Sequence, residues 1–483
     1  MGNRGGYLIA VLLAAGVLSC GGGSDGGNGP GKTLTVTPAS IAIADCALTQ
    51  LNATVKDGDG NPVSTTITYT SADPSVVSVN ASGSVTGQGP GSTTITVAGG
   101  GLQKSVPVTI SAGPETIAVA DTVALDQAAV APLGASVADC HGDPSATTLA
   151  YSPADPAIAT VSALGVVSGV GAGATIVTVT AGLAPAGHVT VEVFGSPTRT
   201  VNNPVALTGS PFGVAISRNG VVYVTRIATS TLGRGTVPVA SFPSSVTVGA
   251  TAAHVVFNPT GTRAYVTNQS DNSVSVVDVA ANVEITQVPL GHSAFNLLVS
   301  PSGLTLFATV DMGNVYRINT ATNTIVDSFN VGTVPNGLAF SPDGSRLYVS
   351  SRDAGWVVVY NTVTNTMIDT LVTGGSPQRM AVSRDGSELY IANESVGLDI
   401  WDLAGGTRIT SLPMEGYGLA LSPDNTTIYV SNPSFGTVQV VDRAARTGIG
   451  TITTGGTPRN IAFSRYGTEA LIANAGDFVS VIR

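Results

Sequence analysis

Charge is scarce in this chain. Asp, Glu, Lys and Arg make up 10% of the 483 residues, the net charge is −10, and no lysine follows Lys104. Nucleic-acid binding draws most of its affinity from a cationic field, so the composition argues against DNA or RNA as a partner. Helical periodicity is missing too. Beyond the first twenty residues no long run repeats apolar residues every three to four positions, which excludes a helical bundle. Histidine occurs four times and cysteine three times, leaving little material for a metal centre; no metal and no cofactor is expected. The HExxH pattern of zinc proteases is absent.

Glycine and proline, by contrast, are plentiful, at 59 and 27 residues. They punctuate short Val/Ile/Thr/Tyr-rich runs along the whole chain, so the fold is all-β, and the length calls for several domains. The first residues differ. MGNRGG carries Arg4 and leads into YLIAVLLAAGVL, an apolar run too short to span a bilayer, followed by Ser19 and Cys20. Residues 1–19 resemble a bacterial lipoprotein signal, which implies lipidation of Cys20; an ordinary secretory signal cleaved nearby is the alternative. Residues 20–32, rich in glycine, read as a flexible tether and not a phosphate loop. The resemblance implies a cell-envelope location, with contact to a membrane through lipid alone, facing the periplasm or the cell surface.

A turn of the form SPDG recurs at 217–220, 258–261, 300–303, 341–344, 383–386, 422–425 and 464–467. Successive copies lie 41, 42, 41, 42, 39 and 42 residues apart. A period near 40 in β-rich sequence predicts one four-stranded propeller blade per repeat, hence seven blades over 200–483. The second strand of each repeat reads AYVTN (264–268), RLYVSS (346–351) or LYIAN (389–393). These residues resemble the YVTN family of seven-bladed propellers, found in surface and envelope proteins. The last repeat stops after its third strand, so TVNNPVALTG (200–209) is expected to return as its fourth.

Upstream, DPSVVSVNASGSVTGQGPGSTTITV (73–97) aligns without gaps on DPAIATVSALGVVSGVGAGATIVTV (155–179), an offset of 82. Two tandem Ig-like β-sandwiches are predicted, at 33–111 and 112–195. They resemble bacterial Ig-like domains of group 2, with Tyr69 and Tyr151 where that family usually has Trp; the resemblance implies a spacer or stalk. With Cys20 assigned to lipid, Cys46 and Cys140 remain, one per sandwich, at positions that do not correspond: Cys46 aligns with Ala128, Cys140 with Gly58. Either they form an interdomain disulfide, as an oxidising compartment permits, or they are two unrelated thiols. His141 and His188 read as loop or surface residues. KDGDGNP (56–62) has the start of a calcium loop but Thr68 where its final Glu belongs, and reads as a hairpin turn.

Propeller ligands bind where loops from all blades converge around the channel. The segments entering the inner strands place Phe212, His254, Phe295, Asn296, Asn336, Gln378, Arg379, Tyr417, Arg459 and Asn460 at that mouth. Arg379 and Arg459 suit an anion, and His254, Glu394 and Glu415 are the available acid/base groups. Alternatively these residues only plug and hydrate the mouth. Asn268, Asn393, Asn432 and Asn474, at the ends of the YVTN strands, are expected to hold turn backbone. No catalytic residue is assigned. The favoured function is a non-enzymatic envelope lipoprotein whose head binds a protein or glycan. The alternatives are a hydrolase or lyase, since similar seven-bladed folds include a sugar-lactone hydrolase and a lyase, and a structural component of a surface layer or envelope assembly.

Overall fold

The computed structural model describes residues 31–182 and 184–483. The leader (1–19), Cys20 and its expected lipid, and the tether apart from Gly31 and Lys32 lie outside the described residues. Every regular element is a strand, and among the described residues no helix is long and apolar enough to cross a membrane.

In the first sandwich Ile41–Ala44 runs parallel to Leu102–Ser111, which pairs with Gly91–Gly99 and then Ile67–Ser71. Leu48–Gln50, Ser84–Gly87 and Val77–Val79 form the facing sheet. Alternation along Leu102–Ser111 sends Val106, Val108 and Ile110 inward against Leu51, Val77, Val85, Ile95 and Val97. The tyrosine that replaces Trp lies on a hairpin glycine: a Cβ on Gly83, at φ +81°, would stand 2.9 Å from Tyr69 Cζ. Tyr151 sits on Gly165 in the same way. The second sandwich repeats the strand order, with Gly173–Thr180, Gly187–Phe194, Val166–Gly169 and Ala159–Val161. Residues 138–146, which the repeat assigns to the second sandwich, form one compact unit with the residues up to Thr116.

Seven four-stranded antiparallel sheets follow, the blades of the propeller, beginning at Pro211, Ala252, Ala294, Pro335, Pro377, Leu419 and Pro458. The outer strand of blade seven is Val205–Ala206, paired with Val479 and Phe478, and a bridge from Val201 to Ile482 extends it. Closure thus joins residues near 200 to the last strand. One large side chain of each second strand packs between its blade and the next: Tyr223, Tyr265, Phe307, Tyr348, Tyr390, Tyr429 and Leu471. Each such burial contributes about 1.5–3 kcal/mol, so the ring is held by seven equivalent seams.

The second sandwich docks on the SPDG-type turns of blades five to seven. Gly195 donates its N–H to the Tyr466 carbonyl at 2.9 Å, and Ser196 donates to Asp424 at 2.8 Å. Arg465 pairs with Glu192 at 2.5 Å and Arg384 with Asp126 at 2.8 Å, the latter guanidinium lying 4.8 Å from the Phe194 ring centre. Those turns end the inner strands, so the starts of the same strands open on the opposite face.

Candidate functional site

The inner strands begin irregularly. In six blades the register with the second strand slips near the start: between Pro211 and Val214, Ala252 and Val255, Ala294 and Asn296, Pro335 and Leu338, Pro377 and Met380, and Pro458 and Ile461. A bulge of this kind re-aims the extra side chain and leaves backbone groups unpaired. Phe212, His254, Phe295, Asn296, Asn336, Gln378, Arg379, Arg459 and Asn460, read from the sequence as loop residues, therefore lie within the inner strands, at these bulges. The difference arises because bulge geometry depends on pairing register, which a single strand does not display. Tyr417 alone lies in a loop, two residues before Leu419–Leu421.

The hydroxyl residue at the third place of the YVTN motif caps the backbone at the start of the inner strand, in bulged blades and in blade six, which has no register slip. Thr225 Oγ accepts from Gly213 N at 2.7 Å, Thr267 from His254 N at 2.9 Å, Thr309 from Asn296 N at 3.0 Å, Ser350 from Gly337 N at 2.6 Å and Ser431 from Gly418 N at 2.8 Å. Four of these hydroxyls donate onward to carbonyls of the next blade, Thr225 to Ala253, Thr309 to Asn336, Ser350 to Gln378 and Ser431 to Arg459, at 2.7, 3.5, 2.9 and 2.6 Å. These residues went unnoticed in the sequence, although a hydroxyl recurring at one position of the repeat was the available signal. Of the terminal asparagines, Asn393, Asn432 and Asn474 accept from loop N–H groups. Asn268 instead donates to Ser273 and Ser275.

Ring closure brings six of the ten expected residues together at the channel neck. His254, from blade two, is 3% exposed and Arg379, from blade five, 7%. An Arg379 amino group contacts His254 Nε2, and the Asn460 amide lies 2.9 Å from Nδ1. Burial drives the His254 pKa well below the usual histidine value, and the neighbouring Arg379 adds to the shift, so the imidazole is neutral. Guanidinium only donates, so Nε2 accepts from Arg379, while Nδ1 faces the Asn460 amide nitrogen and the Asn460 amide oxygen is buried without a partner. Phe212 and Tyr417 stand edge-on, 6.1 Å apart between centres, and Arg459 lies over both at 5.5 and 5.3 Å. Asn336 donates to Gln378 beside them. Phe295 and Asn296 do not join this cluster: the Asn296 side chain accepts from Leu297 N, 2.9 Å away.

The neck is electrostatically unfinished. Arg379 is buried, burial lowers its pKa, and its chemistry keeps it protonated. Its neighbours are a neutral imidazole and Tyr417, whose ring centre lies 6.0 Å away and whose hydroxyl hydrogen-bonds the guanidinium, partly offsetting the effect of burial. Nε of both Arg379 and Arg459 is buried without a partner, and among the described residues neither guanidinium forms an ion pair. Outward from the neck, Glu394, Glu415, Tyr417, Asn432 and Arg459 line a cleft of about 460 Å³, in which both glutamates are exposed.

A second group of reactive side chains lies in the first unit. Cys46 and Cys140 are disulfide-bonded, their Cα atoms 6.2 Å apart, and Asp45 and His141 stand beside the sulfurs. His141, a loop or surface residue by sequence, thus faces both sulfurs, and Asp45, which no sequence pattern marks, joins it. KDGDGNP is a turn, with Asp57 Oδ1 accepting from Asp59 N and Asn61 N at 3.0 and 2.9 Å. The Gly-rich stretch also contains formal GxSxG (22–26) and GxxxxGKT (26–33) patterns. The second of these runs directly into an edge strand, Thr33–Thr37, where a phosphate loop requires a helix.

Residues 31–110 match the family model of the bacterial Ig-like domain (group 2), and residues 222–398 match that of the lactonase, 7-bladed beta-propeller. Among curated proteins the chain is similar to ice-binding protein 1 of Shewanella frigidimarina, at 30% identity over 161 residues. That match covers 31% of this chain and 18% of the relative's length. Among solved structures it resembles the hydrazine synthase of Kuenenia stuttgartiensis, with a TM-score of 0.54 and 19% identity over 57% of this chain and 96% of that one. At that identity the likeness is one of fold alone.

Proposed function

We propose that the propeller is the head of an exported, lipid-anchored envelope protein and binds an acidic glycan at its channel mouth without transforming it. The observation that carries this reading is Arg379, a buried cation with no counter-ion among the described residues. Buried charges are normally paired because desolvation is expensive; a carboxylate or sulfate entering the neck supplies the missing partner. Phe212 and Tyr417 offer apolar faces to sugar rings, and Glu394 and Glu415 accept hydrogen bonds from hydroxyls farther out. The second sandwich docks on the opposite face, leaving the mouth open to large ligands. The YVTN-like repeats and the lipoprotein-like leader support the envelope location.

The test is binding of the full chain to uronate-containing oligosaccharides and to their carboxyl-reduced counterparts. Tight binding of the acidic forms that weakens at least tenfold on carboxyl reduction and in Arg459→Ala is expected; equal binding of both sets overturns the reading. A second reading, hydrolysis of a lactone or glycosidic ester, is favoured by the lactonase-type match and by two carboxylates in the Arg459 cleft. Turnover of sugar lactones that disappears in Glu394→Gln or Glu415→Gln would establish it.

A further inference from the structure

Asp45 and His141 stand beside the Cys46–Cys140 bond, so that four side chains of metal-ligating chemistry meet at one point. His141 Nδ1 lies 3.6 Å from Cys46 Sγ, 3.8 Å from Cys140 Sγ and 3.6 Å from Asp45 Oδ2. Zinc bonds of about 2.0–2.3 Å in tetrahedral geometry give ligand-to-ligand edges of about 3.3–3.8 Å. Three edges of such a tetrahedron are therefore present, and all four donor atoms lie within 4.8 Å of one another. One edge is wrong: the sulfurs are bonded to each other.

The surroundings fit an ion. Asp45 is 5% exposed, and among the described residues its one charge-capable partner is the His141 imidazole. Its other oxygen accepts from Cys46 N at 2.8 Å, which orients the carboxylate as an outer-shell contact does. Gly113 forms the wall, where a Cβ would stand 2.9 Å from Cys140 Sγ and 3.0 Å from Asp45 Cβ. The His141 side chain is 31% exposed, an entry path. The sandwich repeat does not require these donors, since at the 82-residue offset Asp45, Cys46 and Cys140 correspond to Gln127, Ala128 and Gly58. The departures from the repeat converge on one point.

We propose that Asp45, Cys46, Cys140 and His141 form a zinc site that replaces the disulfide when the bond is reduced. A dithiol reductant supplies two electrons and two protons, breaks the S–S bond and leaves as its own disulfide. Zn²⁺ then displaces both thiol protons and is held by two thiolates, the Asp45 carboxylate and neutral His141 through Nδ1. The two cysteine segments stay cross-linked in either redox state, by sulfur or by metal. This inference is independent of the reading of the propeller.

The experiment uses the full chain carrying Cys20→Ser, so that no third thiol competes. Zinc stoichiometry is measured against a chromophoric chelator, and Co²⁺ substitution reports thiolate-to-metal charge transfer and tetrahedral ligand-field bands. One ion per reduced chain and none per oxidised chain is expected, with loss of binding in Cys46→Ser. Asp45→Asn, His141→Ala and His141→Gln should each weaken zinc binding on the order of tenfold or more. These variants keep both cysteines, and recovery of the disulfide on oxidation reports their folding. Absence of stoichiometric zinc in the reduced chain overturns the proposal. So does unchanged affinity in the Asp45 and His141 variants, which would leave simple dithiol chelation.

Discussion

The two ends of the propeller's inner strands treat arginine in opposite ways. At the turn end, Arg465 and Arg384 pair with Glu192 and Asp126 of the second sandwich, Arg443 and Arg446 share Glu388 at 3.1 and 2.7 Å, and Arg483 meets Glu469 at 2.5 Å. Each of these cations has its anion inside the chain: Arg465 and Arg384 join sandwich to propeller, Arg443 and Arg446 join blade six to blade five, and Arg483 with Glu469 ties two paired strands of blade seven. At the neck Arg379 and Arg459 meet a neutral imidazole and the side chains of Phe212 and Tyr417, and among the described residues neither forms an ion pair. A completed pair holds a structure together and has nothing left to offer a ligand. An uncompensated buried cation raises the energy of the empty site, and that energy is recovered when an anion enters.

Removal of Glu469 should break the turn end hardest. Its carboxylate is 1% exposed and accepts from Arg483 and, at 3.0 Å, from Val239 N. Glu469→Ala should lose about 3 kcal/mol or more in urea unfolding; a wild-type midpoint would mean the pair contributes no stability. At the neck the effect should change sign. Arg379→Met removes a buried unpaired charge, so stability should hold or rise while affinity for an acidic glycan falls by roughly tenfold or more. A stability loss matching that of Glu469→Ala would make Arg379 a structural plug.

Acid should sharpen the contrast. The folded pKa of His254 is depressed from 6.5, by burial first and then by Arg379. Its stabilising contribution is therefore complete above pH 6.5 and declines as the unfolded chain takes up a proton the folded one refuses. A loss on the order of 1 kcal/mol per pH unit below 6.5 is expected, flattened in His254→Gln, and visible in thermal melts between pH 7 and 5. Glu388 acts lower. Burial raises its pKa, but hydrogen bonds from Tyr390 and Arg446 with the charges of Arg443 and Arg446 outweigh that, and the net shift is downward. The smallest effect belongs to Arg384→Ala. That pair is 47% and 41% exposed, so about 0.5 kcal/mol is expected, with faster proteolysis around residues 196–203 as the more sensitive readout.

The blades were legible because each is announced by local chemistry. The turns at 220, 261, 303, 344, 386 and 467 need a glycine at positive φ, and Asn425 takes the same conformation at the one turn that lacks it. The sandwiches were legible through their 82-residue repeat, and the two-residue outer strand of blade seven through the shortfall in the last repeat. The mouth was legible only as a list of residues. Nothing near Arg379 in the chain announces His254, 125 positions away, or separates the clustered Phe212 from the unclustered Phe295. The sequence shows Asp45 as no candidate and His141 as a loop or surface residue for the same reason, since the departures from the repeat are visible one at a time and their convergence is not.

Turn residues, strand periodicity and repeat spacing act over a few positions, so the sequence by itself determined an all-β chain, seven blades and two sandwiches. Which side chains share a site depends on ring closure, on the register slips that re-aim the inner strands and on the crossing that puts residue 140 beside residue 46. Those are sums over distant pairings, and only the tertiary structure carries them out.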